Sequence, residues 1–214
     1  MKFDFTPKLT SVSHAEYCRR LRKRGAKELG DGAFSVVYQH PTKKTRVLKV
    51  NKCDELPTTD GYYMYVKCIA SLRKRNPFLP RIFSVQVFKR PTPGDVYDRT
   101  HEWYFVVELE KLVPYDWFKV AERYAWFRRH INSKIVLDPE FYDEDQEAQI
   151  YEAQMYVRTR RTHNKALIRA CKLIKRLSKS KHRYGQFAHD NHIENTMWRV
   201  KASKIHPVFT DPIS

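Results

Sequence analysis

Between residues 29 and 109 the spacing of apolar side chains changes period twice, and this constrains the fold more than any other feature of the chain. Phe34-Ser35-Val36-Val37-Tyr38 and Arg46-Val47-Leu48-Lys49-Val50 are β-rich runs, and His40-Pro41-Thr42-Lys43-Lys44 between them has turn chemistry. Residues 60–73 then set Tyr62, Tyr65, Val66, Ile69 and Leu72 near helical spacing. Residues 81–89 and 102–109 return to strand, joined by a polar loop holding Pro91, Pro93 and Gly94. The order is therefore strand, strand, helix, strand, strand, and the expected class is α+β. Ahead of it, residues 13–23 predict a helix with Tyr17 and Leu21 on one face.

The second half reads as mainly helical. Helices are expected over 116–132, which carries Trp117, Tyr124, Trp126 and Phe127, and over 146–161. The acidic stretch 138–147 between them suits a helix N-terminus, where carboxylates face the positive end of the backbone dipole. The clearest amphipathic helix is Lys165–Ser178: Leu167, Ala170, Cys171, Ile174 and Leu177 form an apolar stripe. Lys165, Arg169, Lys172, Arg176 and Lys179 line its other face, a pattern that solvated surface explains as readily as contact with nucleic acid. The chain closes with 195–200, a turn at 201–204 and a strand over 205–210.

A chain of 214 residues suits one compact domain or two small lobes. With 42% hydrophobic and 14% aromatic residues it is not globally disordered. No run approaches the ~20 apolar residues that cross a bilayer, and the first residues lack an apolar signal core, so a cytosolic protein is expected. Cys18, Cys53, Cys68 and Cys171 lie far apart without a C-x-x-C pair and are expected to be reduced, mostly buried thiols. The formal charge of +17 attracts polyanions and acidic protein surfaces but says nothing about fold.

Three motifs carry chemistry. In Gly30-Asp31-Gly32-Ala33-Phe34-Ser35-Val36-Val37 the glycines let backbone N–H groups approach phosphate oxygens, although an ordinary tight turn has the same look. Here the segment opens a strand pair whose second strand holds Lys49 among apolar neighbours, as in a kinase nucleotide loop followed by its phosphate-binding lysine. Ser35 stands where a third glycine often lies. The strongest motif is His189-Asp190-Asn191-His192-Ile193-Glu194-Asn195. An aspartate followed five residues later by an asparagine matches a kinase catalytic loop: Asp190 would orient the substrate hydroxyl and Asn195 would bind magnesium. His192 occupies the usual lysine position, as it does in antibiotic phosphotransferases. Two histidines beside an aspartate also invite a metal site, but no further ligand cluster accompanies them. The third motif is Phe209-Thr210-Asp211-Pro212, where Asp211 fits the magnesium-binding aspartate of a D-F-G segment with proline in place of phenylalanine.

These residues, together with His40-Pro41, Ala170-Cys171-Lys172-Leu173-Ile174-Lys175-Arg176, Met197 and the Thr210-Asp211-Pro212-Ile213-Ser214 ending, resemble the early serine/threonine protein kinases of short-tailed lytic phages. The matching segments run from about residue 27 to the C-terminus, while 51–165 matches only in element order. The resemblance implies a two-lobed protein-kinase-like fold with an antiparallel-sheet N-lobe and a truncated, mainly helical C-lobe. The expected divisions are an N-terminal extension over 1–28, an N-lobe over 29–112 and a C-lobe over 113–214. It implies ATP and Mg2+ bound between the lobes. Gly30, Asp31, Gly32, Ala33, Phe34, Ser35, Val37 and Lys49 would hold the nucleotide, and the backbone of Glu108 and Leu109 would meet adenine. Asp190, Lys49 and His192 would serve catalysis, and Asn195 and Asp211 would hold the metal. The implied substrates are host bacterial proteins, including RNA polymerase and ribonuclease components, and the enzyme itself, in the bacterial cytoplasm.

The sequence departs from the kinase pattern in two places. The helix expected after Lys49 lacks the glutamate that pairs with the strand lysine, Asp60 at its start being the nearest acid. The activation segment, the A-P-E motif and the later C-lobe helices are missing. These departures keep three other readings in view: a kinase-fold pseudoenzyme that inhibits a host protein by binding, a small-molecule phosphotransferase, and a nucleic-acid binder acting through the basic surface.

Overall fold

The computed structural model describes residues 3–53, 56–92, 101–113, 165–182, 185–186, 196–201 and 204–212. The helices expected over 116–132 and 146–161 lie outside the described residues. The chain divides into two compact units, Met1–Arg73 with Pro80–Lys111, and Lys74–Leu79 with Leu112–Ser214.

The first unit is built on a six-stranded sheet. Its strands are β1 (Pro7–Leu9), β2 (Glu28–Asp31), β3 (Ser35–Gln39), β4 (Arg46–Cys53), β5 (Ile82–Pro91) and β6 (His101–Glu110), in the order β1-β5-β6-β4-β3-β2. The expected antiparallel sheet holds from β2 to β6, but the whole sheet is mixed, because Pro7–Leu9 pairs in parallel with Val87–Lys89 on the outer side of β5. Three exposed residues with no alternating pattern leave no period from which such a strand can be read.

A helix covers each face. Helix α1 (His14–Lys23) begins at Ser13, whose hydroxyl accepts the Glu16 N–H at 3.1 Å, and it ends in basic residues that suit the negative end of the helix dipole. Gly25, with φ +78, turns the chain out of the helix in a conformation that costs glycine little. Cys18 and Leu21 of α1 pack with Val36, Tyr38, Val50, Tyr104 and Val106, an apolar cluster extended by Tyr17, Leu48 and Phe88. Helix α2 (Gly61–Ala70) is capped by Asp60, whose carboxylate accepts the Tyr63 N–H at 2.7 Å. Tyr62 stacks on Phe105 of β6 at 6.1 Å, and Tyr63 meets the same ring edge-on at 5.3 Å. Successive strand residues point to opposite faces. Val50 and Val106, which face each other across the ladder, lie on the α1 side, so their neighbours Lys49 and Val107 lie on the α2 side.

In the second unit, helix α3 (Lys165–Ser178) buries Leu167, Ala170, Cys171, Leu173, Ile174 and Leu177, the expected stripe with Leu173 added. β7 (Lys181–His182) pairs with β8 (Gly185–Gln186), and β9 (Thr196–Lys201) forms an antiparallel hairpin with β10 (Lys204–Phe209). The segment Lys74–Leu79 belongs to this unit although its neighbours in sequence belong to the other. The Asn76 side chain donates to the Ala166 carbonyl at 2.8 Å, and the Phe209 N–H donates to the Phe78 carbonyl at 3.0 Å. Buried Arg199 donates to the carbonyls of Pro77 and Leu79, the latter at 2.9 Å. A guanidinium carries donors in a fixed fork, so one side chain reaches two carbonyls of the turn. Among the described residues no helix is long and apolar enough to cross a membrane.

Candidate functional site

The glycine segment forms the hairpin between β2 and β3. Gly30 and Asp31 end β2, Gly32 to Phe34 make the turn, and Ser35 and Val37 lie on β3. The Gly32 N–H donates to the Ser35 carbonyl at 2.8 Å and closes the turn, while the Lys52 N–H donates to the Phe34 carbonyl at 2.9 Å. Phe34 is 66% exposed at the tip. A Cβ built on Gly30 meets nothing within 4 Å, and one on Gly32 meets only Ser35 atoms at 3.7 Å or more. Neither residue has the positive φ that calls for glycine. The fold itself therefore does not demand glycine at either position.

Lys49 lies on β4 directly across from Val37 on β3 and from Val107 on β6. Its side chain is partly buried on the face that α2 covers, and its ammonium nitrogen sits 3.8 Å from the centroid of the Tyr62 ring. Helix α2 contains no acidic residue, as the sequence predicts, and Asp60 caps it.

Glu108 and Leu109 lie inside β6, paired with Leu48 and Val47 of β4 on one side and with Ser84 and Ile82 of β5 on the other. The Glu108 side chain is on the opposite face from Lys49. Its carboxylate accepts from Lys43 Nζ at 3.0 Å, from an Arg46 guanidinium nitrogen at 2.7 Å and from Ser84 Oγ at 3.1 Å. His40 Nε2 stands 3.6 Å away, while Nδ1 of the same ring accepts the N–H groups of Thr42 and Lys43 at 3.2 Å each. Burial pushes the Glu108 carboxyl up, but hydrogen bonds from Arg46, Lys43 and Ser84 outweigh it and hold the group below its ordinary value. Burial lowers the His40 imidazole, offset in part by the Glu108 charge. The cluster ties the turn between β3 and β4 to β6, a structural use of Glu108 that its position in sequence does not announce.

In the second unit, Asp211 follows β10 directly after Thr210, partly exposed between buried Phe209 and Pro212. β9 starts at Thr196, the residue after Asn195, while Asp190, His192 and Asn195 lie outside the described residues. Among the described residues no three His, Cys, Asp or Glu side chains gather as a metal site. Sequence reasoning placed the hairpin and Lys49 but missed the ring beside that lysine. The only signal for it was an aromatic, acid-free first turn in the helix after the lysine strand. No protein-family model matches this chain, and no curated protein matches it in sequence.

Proposed function

We propose that this protein is an ATP-dependent protein kinase that transfers the γ-phosphate to serine or threonine hydroxyls. Its proposed substrates are bacterial host proteins, in the transcription and RNA-processing machinery, and the kinase itself. The observation that carries the reading is the placement of Lys49. It lies on the strand next to the glycine hairpin, in register with Val37, on the face covered by the helix that connects β4 to β5. The β2-β3-β4-β6-β5 portion of the sheet, with α2 between β4 and β5 in sequence, is compatible with a kinase N-lobe. The open space over Gly30 and Gly32 adds to it, because glycine without a conformational or packing need fits a backbone that approaches a ligand.

On this reading Gly30 to Ser35 cover the triphosphate and Lys49 binds its oxygens. Asp190 orients the substrate hydroxyl and takes its proton. The hydroxyl oxygen bonds to the γ-phosphorus as the bond to the ADP oxygen breaks, and ADP leaves with those electrons. The donor set of Asn195 and Asp211, an amide oxygen and a carboxylate, fits magnesium, a hard cation that prefers oxygen. Bound there, magnesium would screen the charge of the phosphates. His192 would lie beside the reacting hydroxyl. The basic composition, +17 in formal charge, favours acidic substrate surfaces. The proposed location is the host cytoplasm.

One observation favours a second reading. A helix without an acid beside the strand lysine is a feature of kinase folds that bind rather than catalyse. A single experiment separates the two: incorporation of labelled γ-phosphate from ATP and magnesium, with and without bacterial lysate, by wild type and Asp190→Ala. Label on protein that disappears in the variant supports the kinase. Label on a soluble metabolite alone points to a small-molecule phosphotransferase. No label with folded wild type overturns the kinase reading and leaves a binding protein.

A further inference from the structure

We infer that Tyr62 is a positioning residue for Lys49, its ring face holding the ammonium of the strand lysine on the α2 side of the sheet. The inference rests on the kinase reading above and names a part of the site that the reading leaves open. The ammonium lies 3.8 Å from the Tyr62 centroid, well inside the ~6 Å over which a cation is drawn to a ring face. The ring is not free to leave. Tyr62 is 7% exposed, stacked on Phe105 at an interplanar angle of 25° and tilted against Tyr65 at 6.4 Å. Phe105 pairs across the ladder with Asn51, two residues along β4 from Lys49. Cation and ring are thus both indexed to the same pair of strands, and the turn that starts α2 is fixed by the Asp60 cap on the Tyr63 N–H.

The chemistry differs from that of an ion pair. A carboxylate takes N–H donors from the ammonium and cancels its charge. A ring face attracts the cation through its quadrupole without itself neutralising the charge. Partial burial of Lys49 strengthens that attraction.

The test uses the full chain with Tyr62→Phe, Tyr62→Leu and Tyr62→Met, the last an unbranched, adaptable side chain in case leucine does not fold. Three quantities are read: thermal melting, kcat and KM for ATP in γ-phosphate transfer, and the NMR signal of Lys49 after 13C reductive methylation, assigned with Lys49→Arg. A dimethylamine over a ring face is shifted upfield. The expected result is an upfield signal in wild type and Tyr62→Phe that is absent in Tyr62→Leu and Tyr62→Met. The KM for ATP rises about 3- to 30-fold in the latter two, a factor set by the usual strength of a cation–π contact, and Tyr62→Phe restores it. Leucine or methionine variants with wild-type KM, a phenylalanine variant as impaired as leucine, or a Lys49 signal without the ring shift would each overturn the inference. A shifted signal in a wild type that transfers no phosphate marks failure of the kinase reading, with the contact real but serving packing alone.

Discussion

At the scale of single residues, Glu108 and Gly30 show how residues of similar expected role are set to different work. Glu108 gathers Arg46, Lys43 and Ser84 around one buried carboxylate. Replacing it with alanine leaves those donors to find water, and is expected to cost about 1–3 kcal/mol in urea unfolding. Its carboxyl is held below the ordinary 4.5 in the folded protein. The folded state therefore resists protonation where the unfolded chain accepts it. The contribution is full above pH 4.5 and is lost as pH falls through the lower folded value. Glu108→Gln should flatten that acid limb in chemical denaturation followed against pH. Gly30 makes the opposite case. Nothing within 4 Å opposes a methyl there and φ is not positive, so Gly30→Ala should leave stability unchanged or raise it by about 0.4–1 kcal/mol, through a less flexible unfolded chain. On the kinase reading the same change raises the KM for ATP. A variant equally stable and equally active would mean that the glycine serves neither the fold nor a ligand.

At the scale of elements, α1 matters more than its place in the sequence suggests. The first 28 residues, expected as an extension, supply β1 and the helix whose Cys18 and Leu21 complete an apolar cluster with four strands. Leu21→Ala removes buried methyl groups and should cost about 2–5 kcal/mol, read as a lower melting temperature. Removing residues 1–26 uncovers Val36, Tyr38, Val50, Tyr104 and Val106 together. The expected product is aggregation-prone and lacks a cooperative melting transition, since an exposed apolar face of that size seeks any partner. α1 is legible because its signals are local: a serine cap, an acid in the first turn, bases in the last and Tyr17 with Leu21 on one face. Which face of the sheet it covers is not local, because any apolar face of a strand pair offers the same chemistry.

At the scale of the whole molecule, the second unit takes in a segment that sequence order assigns to the first. Lys74–Leu79 follows α2 but joins the second unit through Asn76, Arg199 and Phe209. On the kinase reading, ATP with magnesium at a hundred times its Kd stabilises the folded protein by about 2.7 kcal/mol. For a chain of this size that is a rise of roughly 5–10 °C in Tm. Lys49→Met should remove most of that rise while leaving the melting temperature without nucleotide close to wild type, as measured by scanning calorimetry.

The sequence determined what depends on neighbours along the chain. The five elements from Phe34 to Leu109, the capped helices, the apolar stripe of α3 and the β9–β10 hairpin all follow from period, cap and turn residues within a few positions of one another. It also set the candidate site, since the chemistry of Gly30, Gly32, Lys49, Asp190, Asn195 and Asp211 lies in residue type and spacing. Tertiary structure alone decided the rest. The parallel docking of β1, the cluster around Glu108 and the ring beside Lys49 each join residues distant in sequence. Such pairings depend on which faces and registers bury the most apolar surface at once, and no window along the chain contains that sum.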